Sequence, residues 1–161
     1  MTTCMTCQLI RARDAGDRPL WDSIHRTAHW DVVHSYNTSL AGWLVLVARR
    51  HMAAIAEMNE AEAVELGRLL RLVSIAVQRA TNSEKTYVVQ FAEAVEHPHV
   101  HFHVVPRMAD LPPHQRGPAI FGHLGVPEAE RVSEARMNEV AVDVRMFLAN
   151  ALSTMNDSMI Q

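Results

Sequence analysis

The chain has only two cysteines in 161 residues, Cys4 and Cys7, and they lie together rather than scattered as a disulfide framework would be. It has no excess of positive charge. Fifteen Lys and Arg stand against 18 Asp and Glu, for a net charge of −3, so no polycationic surface is present to grip nucleic acid. An anionic ligand must be held by a few local groups. No apolar run approaches the roughly 18 residues that a bilayer span needs. The stretch Met1 to Gln8 lacks the basic start and apolar core of a signal peptide. These absences point to a reducing, cytoplasmic location, with neither membrane nor nucleic acid as a partner. Apolar residues at 48% and charged residues at 20% describe an ordinary globular protein, and the length suits one domain over 1–161 with a tail that frays from about Ser153.

What the chain does have is histidine. Four of its ten histidines fall in His97-Pro98-His99-Val100-His101-Phe102-His103, each two positions from the next. In an extended strand, residues two apart share a face, so His99, His101 and His103 would form a row, with Val100, Phe102 and Val104 turned towards a core. Imidazoles beside an apolar face each need hydrogen-bond partners or a metal. Pro98 cannot donate to a sheet ladder and marks the start of the strand, which leaves His97 in a loop.

The surrounding pattern is mixed α and β. Arg11 to Pro19 reads as a loop, followed by a short helix over 22–26 and a strand over 28–35. The run Trp43 to Ala48 is short, apolar and β-branched, as a central strand buried on both faces would be. Asn59 with Glu62 has the spacing of a capping box, opening a helix to about Ala80 with an apolar stripe of Leu66, Leu69, Leu70, Val73, Val77 and Ala80. Thr86 to Phe91 reads as another strand. Five of seven prolines lie between Pro106 and Pro127, in a loop long enough to be functional. Pro127 suits the first turn of a last helix, to about Leu152, that buries Val132, Val140, Val144, Phe147, Leu148 and Ala151.

Three kinds of chemistry fit these residues. Cys4-Met5-Thr6-Cys7 has the spacing that lets two thiolates reach one zinc ion, although two free thiols near a terminus would look the same. A His-x-His pair can chelate a metal directly. A single imidazole can instead attack phosphorus, with its second nitrogen held by a hydrogen bond and neighbouring histidines on the phosphate oxygens.

The run from His99 to Val105 fits the signature His-φ-His-φ-His-φ-φ, where φ is apolar. On this motif the chain resembles the histidine triad family of nucleotide hydrolases and transferases. Pro106-Arg107 and Gly42, with its strand ending in Arg49-Arg50-His51, extend the resemblance from Cys4 to at least Arg107. It implies an α+β fold, a mainly antiparallel sheet of about five strands with helices packed on it, in a homodimer. The implied substrate is a nucleoside phosphoanhydride, phosphoester or phosphoramidate. His101 is then the nucleophile that forms a nucleotidyl-histidine, His103 the phosphate contact, and His99 a residue that fixes the site. Members with the cysteine pair hold a structural zinc, which here implies Cys4, Cys7, His51 and His99 as ligands.

The chain also departs from the pattern. Glu96 stands where many members have a hydroxyl that helps hold the phosphate, and a carboxylate there would repel it. No acid matches the one that clasps the ribose hydroxyls; Ser35 or Asn37 stands near that place, and Trp43 replaces a further histidine. These departures keep open a zinc-stabilised nucleotide-binding protein with negligible turnover. His97-Pro98-His99 also resembles related uridylyltransferases, in whose frame His99 would be the nucleophile. The substrate-binding candidates are His34, Asn37, Gln90, Glu96 and Arg107.

Overall fold

Leu44–Ala48 has no polar side chain, and it forms the middle strand of a five-stranded sheet in the computed structural model, which describes residues 4–16 and 18–158. The strands are β1 (His25–Arg26), β2 (Trp30–His34), β3 (Leu44–Ala48), β4 (Lys85–Val89) and β5 (His101–Arg107). They lie in the order β1-β2-β3-β5-β4, and every neighbouring pair is antiparallel. The fold is α+β. Among the described residues, no helix is long and apolar enough to cross a membrane.

Alternation divides the sheet into two faces. Trp30, Val32, Leu44, Leu46, Phe102 and Val104 are buried against α2 (Glu60–Thr81) and α3 (Glu134–Ser158). The start of α2 is fixed as its sequence predicts: Asn59 accepts from the Glu62 amide at 2.9 Å, and the Glu62 carboxylate accepts from the Asn59 amide at 2.8 Å. Asn82, in the left-handed region at φ 53°, ends it. The opposite face carries Asp31, Val33, Val45, Val47, His101 and His103, and is covered by α1 (Met5–Asp14) through Ile10, which packs on Val33 and Val47.

Several expectations are corrected. Arg11 to Asp14 belong to α1 and are not loop, while Asp17 lies outside the described residues. The helix expected over 22–26 is a 3-10 turn at Leu20–Asp22 followed by β1. Pro127 opens only a 3-10 turn at Glu128–Glu130; α3 starts later, so half-buried Val132 belongs to the lead-in, where its amide bonds the Thr38 carbonyl. The backbone of α3 is helical to Ser158, and residues 159–161 lie outside the described ones. The loop after β5 is a folded cap in which Leu111 and Ile120 pack on Trp43 and Val105.

Gly42 makes the corner before β3 at φ +88°, and a Cβ there would stand 2.4 Å from Thr81 Cγ2. Gly42→Ala is therefore expected to destabilise the protein by about 2 kcal/mol or more, from backbone strain and the clash together. The midpoint of urea unfolding measures this.

Candidate active site

His101 and His103 point from β5 into a cavity of about 390 Å³, within the range of roughly 300–1,000 Å³ usual for small-molecule sites. Its floor is the apolar part of the sheet, Val33, Val45 and Val47. One wall is α1, through Leu9 and Arg13, and the segment 91–94 crosses another side.

The hydrogen bonds assign the tautomers. His101 Nδ1 lies 2.7 Å from the His99 carbonyl, so it carries the proton and donates. Nε2 of His101 keeps its lone pair. His103 is the reverse: the Trp43 indole N–H donates to its Nδ1 at 3.0 Å, so a neutral His103 carries its proton on Nε2. Burial lowers the pKa of both rings, that of His103 to about 3 with the charge of His101 as a lesser cause. Trp43 and Phe121 supply that burial, with ring centroids 5.8 and 5.4 Å from His103. The site thus pairs a ring with a free lone pair and a neutral ring with a free N–H.

His99 leaves the row. It precedes β5, is fully buried, and donates from Nε2 to the Ala48 carbonyl at 2.6 Å. Its Nδ1 lone pair therefore faces Cys4 Sγ at 3.6 Å, Cys7 Sγ at 3.5 Å and His51 Nδ1 at 3.3 Å, and the last lies 3.3 Å from Cys7 Sγ. All four ligand atoms fall within 4.8 Å of one another. Zinc bonds of about 2.0–2.1 Å to nitrogen and about 2.3 Å to sulfur, at tetrahedral angles, separate two nitrogens by about 3.3 Å and nitrogen from sulfur by about 3.5 Å. The group has the spacing of a closed tetrahedral site. Burial and the adjacent Cys4 raise the Cys7 thiol pKa, an effect that a bound cation would reverse.

The remaining candidates divide. His34 and Asn37 line the cavity, and Ser35 donates to Asn37 Oδ1 at 3.2 Å. His34 spends both ring nitrogens on the fold: Nδ1–H donates to the Ser35 carbonyl at 2.7 Å, and Nε2 accepts from the Gly42 amide at 2.9 Å. Gln90, Glu96 and Arg107 do not line it. The exposed Glu96 offers its carbonyl to the Met5 amide at 2.9 Å, which holds the start of α1. Arg107 sits at the far end of β5, bonded to Glu84. His97 does line the cavity, with Nδ1 2.9 Å from Thr6 Oγ1 on α1. Sequence reasoning passed over Arg13, Arg18, Trp21 and Phe121; only the aromatic content of the last two was a signal.

Burial pushes the pKa of His34 down to about 4, against the small opposing effect of its bond to Ser35. Unfolded, the ring would titrate at its ordinary 6.5. Between these values the unfolded chain takes up a proton that the folded chain refuses, so stability falls as pH drops from 6.5 towards 4. The His34 resonances in an NMR titration are expected to stay those of a neutral ring until close to pH 4. A midpoint at 6.5 would contradict the burial argument.

No protein-family model matches the sequence, and no curated protein matches it. Solved structures do match the fold. A Hit-like protein involved in cell-cycle regulation from Bartonella henselae aligns with TM-score 0.67 at 16% identity, over 91% of this chain and 97% of that one. A hypothetical histidine triad nucleotide-binding protein from Sulfolobus tokodaii aligns with TM-score 0.66 at 13% identity, over 89% and 93%. A zinc-bound histidine triad family protein from Mycobacterium smegmatis aligns with TM-score 0.63 at 16% identity, over 94% and 96%. The fold of this chain is that of the histidine triad proteins, and the chain carries their signature at His99, His101 and His103.

Proposed function

We propose that the chain is a histidine triad nucleotidyl hydrolase or transferase, with His101 as its nucleophile. The observation that carries this reading is the bond from His101 Nδ1 to the His99 carbonyl at 2.7 Å, which leaves a lone pair on Nε2 at the edge of the cavity. Nε2 attacks the phosphorus of a nucleoside phosphoester, phosphoramidate or phosphoanhydride. The bond to the leaving group breaks, giving a nucleotidyl-histidine, and water then cleaves the new P–N bond to release nucleoside monophosphate. His103, with its N–H on Nε2, donates to a non-bridging phosphate oxygen and stabilises the charge that develops there. Asn37, oriented by Ser35, is the ribose contact on this reading.

Cys4, Cys7, His51 and His99 would hold zinc, whose contribution is to stiffen the bend before His101 and to pin α1 over the cavity. The zinc-bound Mycobacterium smegmatis relative and the tetrahedral spacing support this reading. A homodimer goes with it; the edge strand β4, with Val88 exposed, is available for such a contact, and light scattering tests it.

Incubation with adenosine phosphoramidate or a dinucleoside polyphosphate tests the activity. Steady release of nucleoside monophosphate is the expected result. Tight nucleotide binding with no product at high enzyme concentration would replace this reading with that of a nucleotide-binding protein.

A further inference from the structure

His97 is the one histidine of the run that neither the chemistry at His101 nor the cysteine cluster uses. Its ring lines the same cavity as His101 and His103. Nδ1 lies 2.9 Å from Thr6 Oγ1 on α1, and among the described residues Nε2 has no bond. The residue is half-buried, and Nε2 is open rather than sealed in the protein. Glu96, its neighbour, is exposed and lies outside the cavity.

The Thr6 bond fixes the tautomer. Thr6 is buried, and its hydroxyl has no other partner. A buried O–H left without an acceptor is costly, whereas a spare lone pair is tolerated better. His97 Nδ1 is the acceptor within reach, so Thr6 donates to it. The proton of the His97 ring then sits on Nε2, which presents a free N–H.

The layers of the fold place that N–H. His101 rises from β5 on the sheet face that α1 covers, and its Nδ1 is tied back to the His99 carbonyl. A phosphorus attacked by His101 Nε2 therefore stands between the sheet and α1. In-line displacement puts the leaving atom on the far side of phosphorus, which is the α1 side. Thr6 holds His97 on that side.

We infer that the N–H on His97 Nε2 donates to the leaving oxygen of the substrate, an inference that rests on the nucleotide reading above. As the bond from His101 Nε2 to phosphorus forms, the bond from phosphorus to the leaving oxygen breaks, and its electron pair passes to that oxygen. The N–H stabilises the charge that gathers there. The proton stays on His97 throughout, and water protonates the departed group. Leaving groups that depart through oxygen as anions, such as a phosphate or a phenolate, are the class this contact serves.

Two aryl esters of adenosine monophosphate test this under single-turnover conditions, one releasing phenol and one releasing p-nitrophenol. Nitrophenolate is the weaker base and needs less help to leave. His97→Ala is expected to slow the phenyl ester by roughly 10²-fold and the nitrophenyl ester clearly less. His97→Gln, whose amide keeps an N–H, should recover part of the loss. Thr6→Val, which frees the tautomer, should show the same leaving-group pattern more weakly, and it carries the comparison if His97→Ala does not fold. An equal loss with both esters, in variants with wild-type zinc content and circular dichroism, would overturn the assignment and leave the His101 reading standing. So would no loss with either ester. A wild-type protein that cleaves neither ester would overturn both.

Discussion

Replacing His101 by Ala is expected to lower release of nucleoside monophosphate by a factor on the order of 10³ or more, because it removes the Nε2 lone pair that attacks phosphorus. His103 cannot take over the attack. Its Nδ1 lone pair is occupied by the Trp43 indole, and its Nε2 carries the proton. His99 cannot either, since its free lone pair faces the cysteine pair and its other nitrogen is bonded to Ala48. The substitution leaves the His99 carbonyl without its donor, at a cost of about 1–3 kcal/mol, so folding must be checked beside activity. Circular dichroism and zinc content are expected to match the wild type. Wild-type turnover in a folded His101→Ala protein would move the chemistry elsewhere, with the His97-Pro98-His99 frame the first to be reconsidered.

The second large effect concerns the metal. The purified protein is expected to carry one zinc per chain, and Cys4→Ser with Cys7→Ser to carry none. Loss of a structural zinc removes binding free energy that is folding free energy, so stability should drop by several kcal/mol. The loss should be concentrated in α1. That helix buries only Thr6 and Ile10 among its ten residues, and is otherwise anchored by the cysteine pair with the Met5–Glu96 and Thr6–His97 hydrogen bonds at one end and by Arg13 pairing with Asp22 and Asp31 at the other. Hydrogen exchange in the double variant should show α1 exposed while β3 and β5 stay protected. Zinc retained at one per chain in the double variant would place the metal on the histidine row instead.

The dependence of α1 on such contacts explains why it was not legible in the sequence. Its stretch after Cys7 is polar, with a single buried aliphatic residue, Ile10, and no apolar stripe. A helix made by tertiary anchors carries little local signal. α2 is the opposite case, since its capping box and apolar stripe lie within one segment and both are visible in the sequence. The middle of the sheet was legible for a similar reason: the continuous apolar run at 44–48 is short and β-branched, which favours a strand covered on both sides.

Strand periodicity made the histidine motif legible as a set, and its division of labour came from the family resemblance alone. Strand periodicity puts His99 in one row with His101 and His103, whereas the chain bends at His99 and sends it to the cysteines. Nothing local encodes that bend. It depends on contacts to distant segments, the His99 ring with the Ala48 carbonyl and the Val100 amide with the Met52 carbonyl. Likewise, Trp43 reads in sequence as the start of an apolar run, and only the fold shows its indole fixing the proton on His103. Arg107 shows the converse error of proximity. Its place at the end of the histidine strand suggests a substrate contact, but seven residues of strand carry it away from the cavity to Glu84.

The most direct test of the central claim is to trap the intermediate. The protein is mixed with a nucleoside phosphoramidate, quenched during turnover under conditions that preserve phosphorus–nitrogen bonds, and digested for mass spectrometry. The expected result is a nucleoside monophosphoryl group on His101 in the peptide around 97–107, absent from His101→Ala. An adduct on His97 or His99, or sustained turnover with no histidine adduct at all, would contradict it.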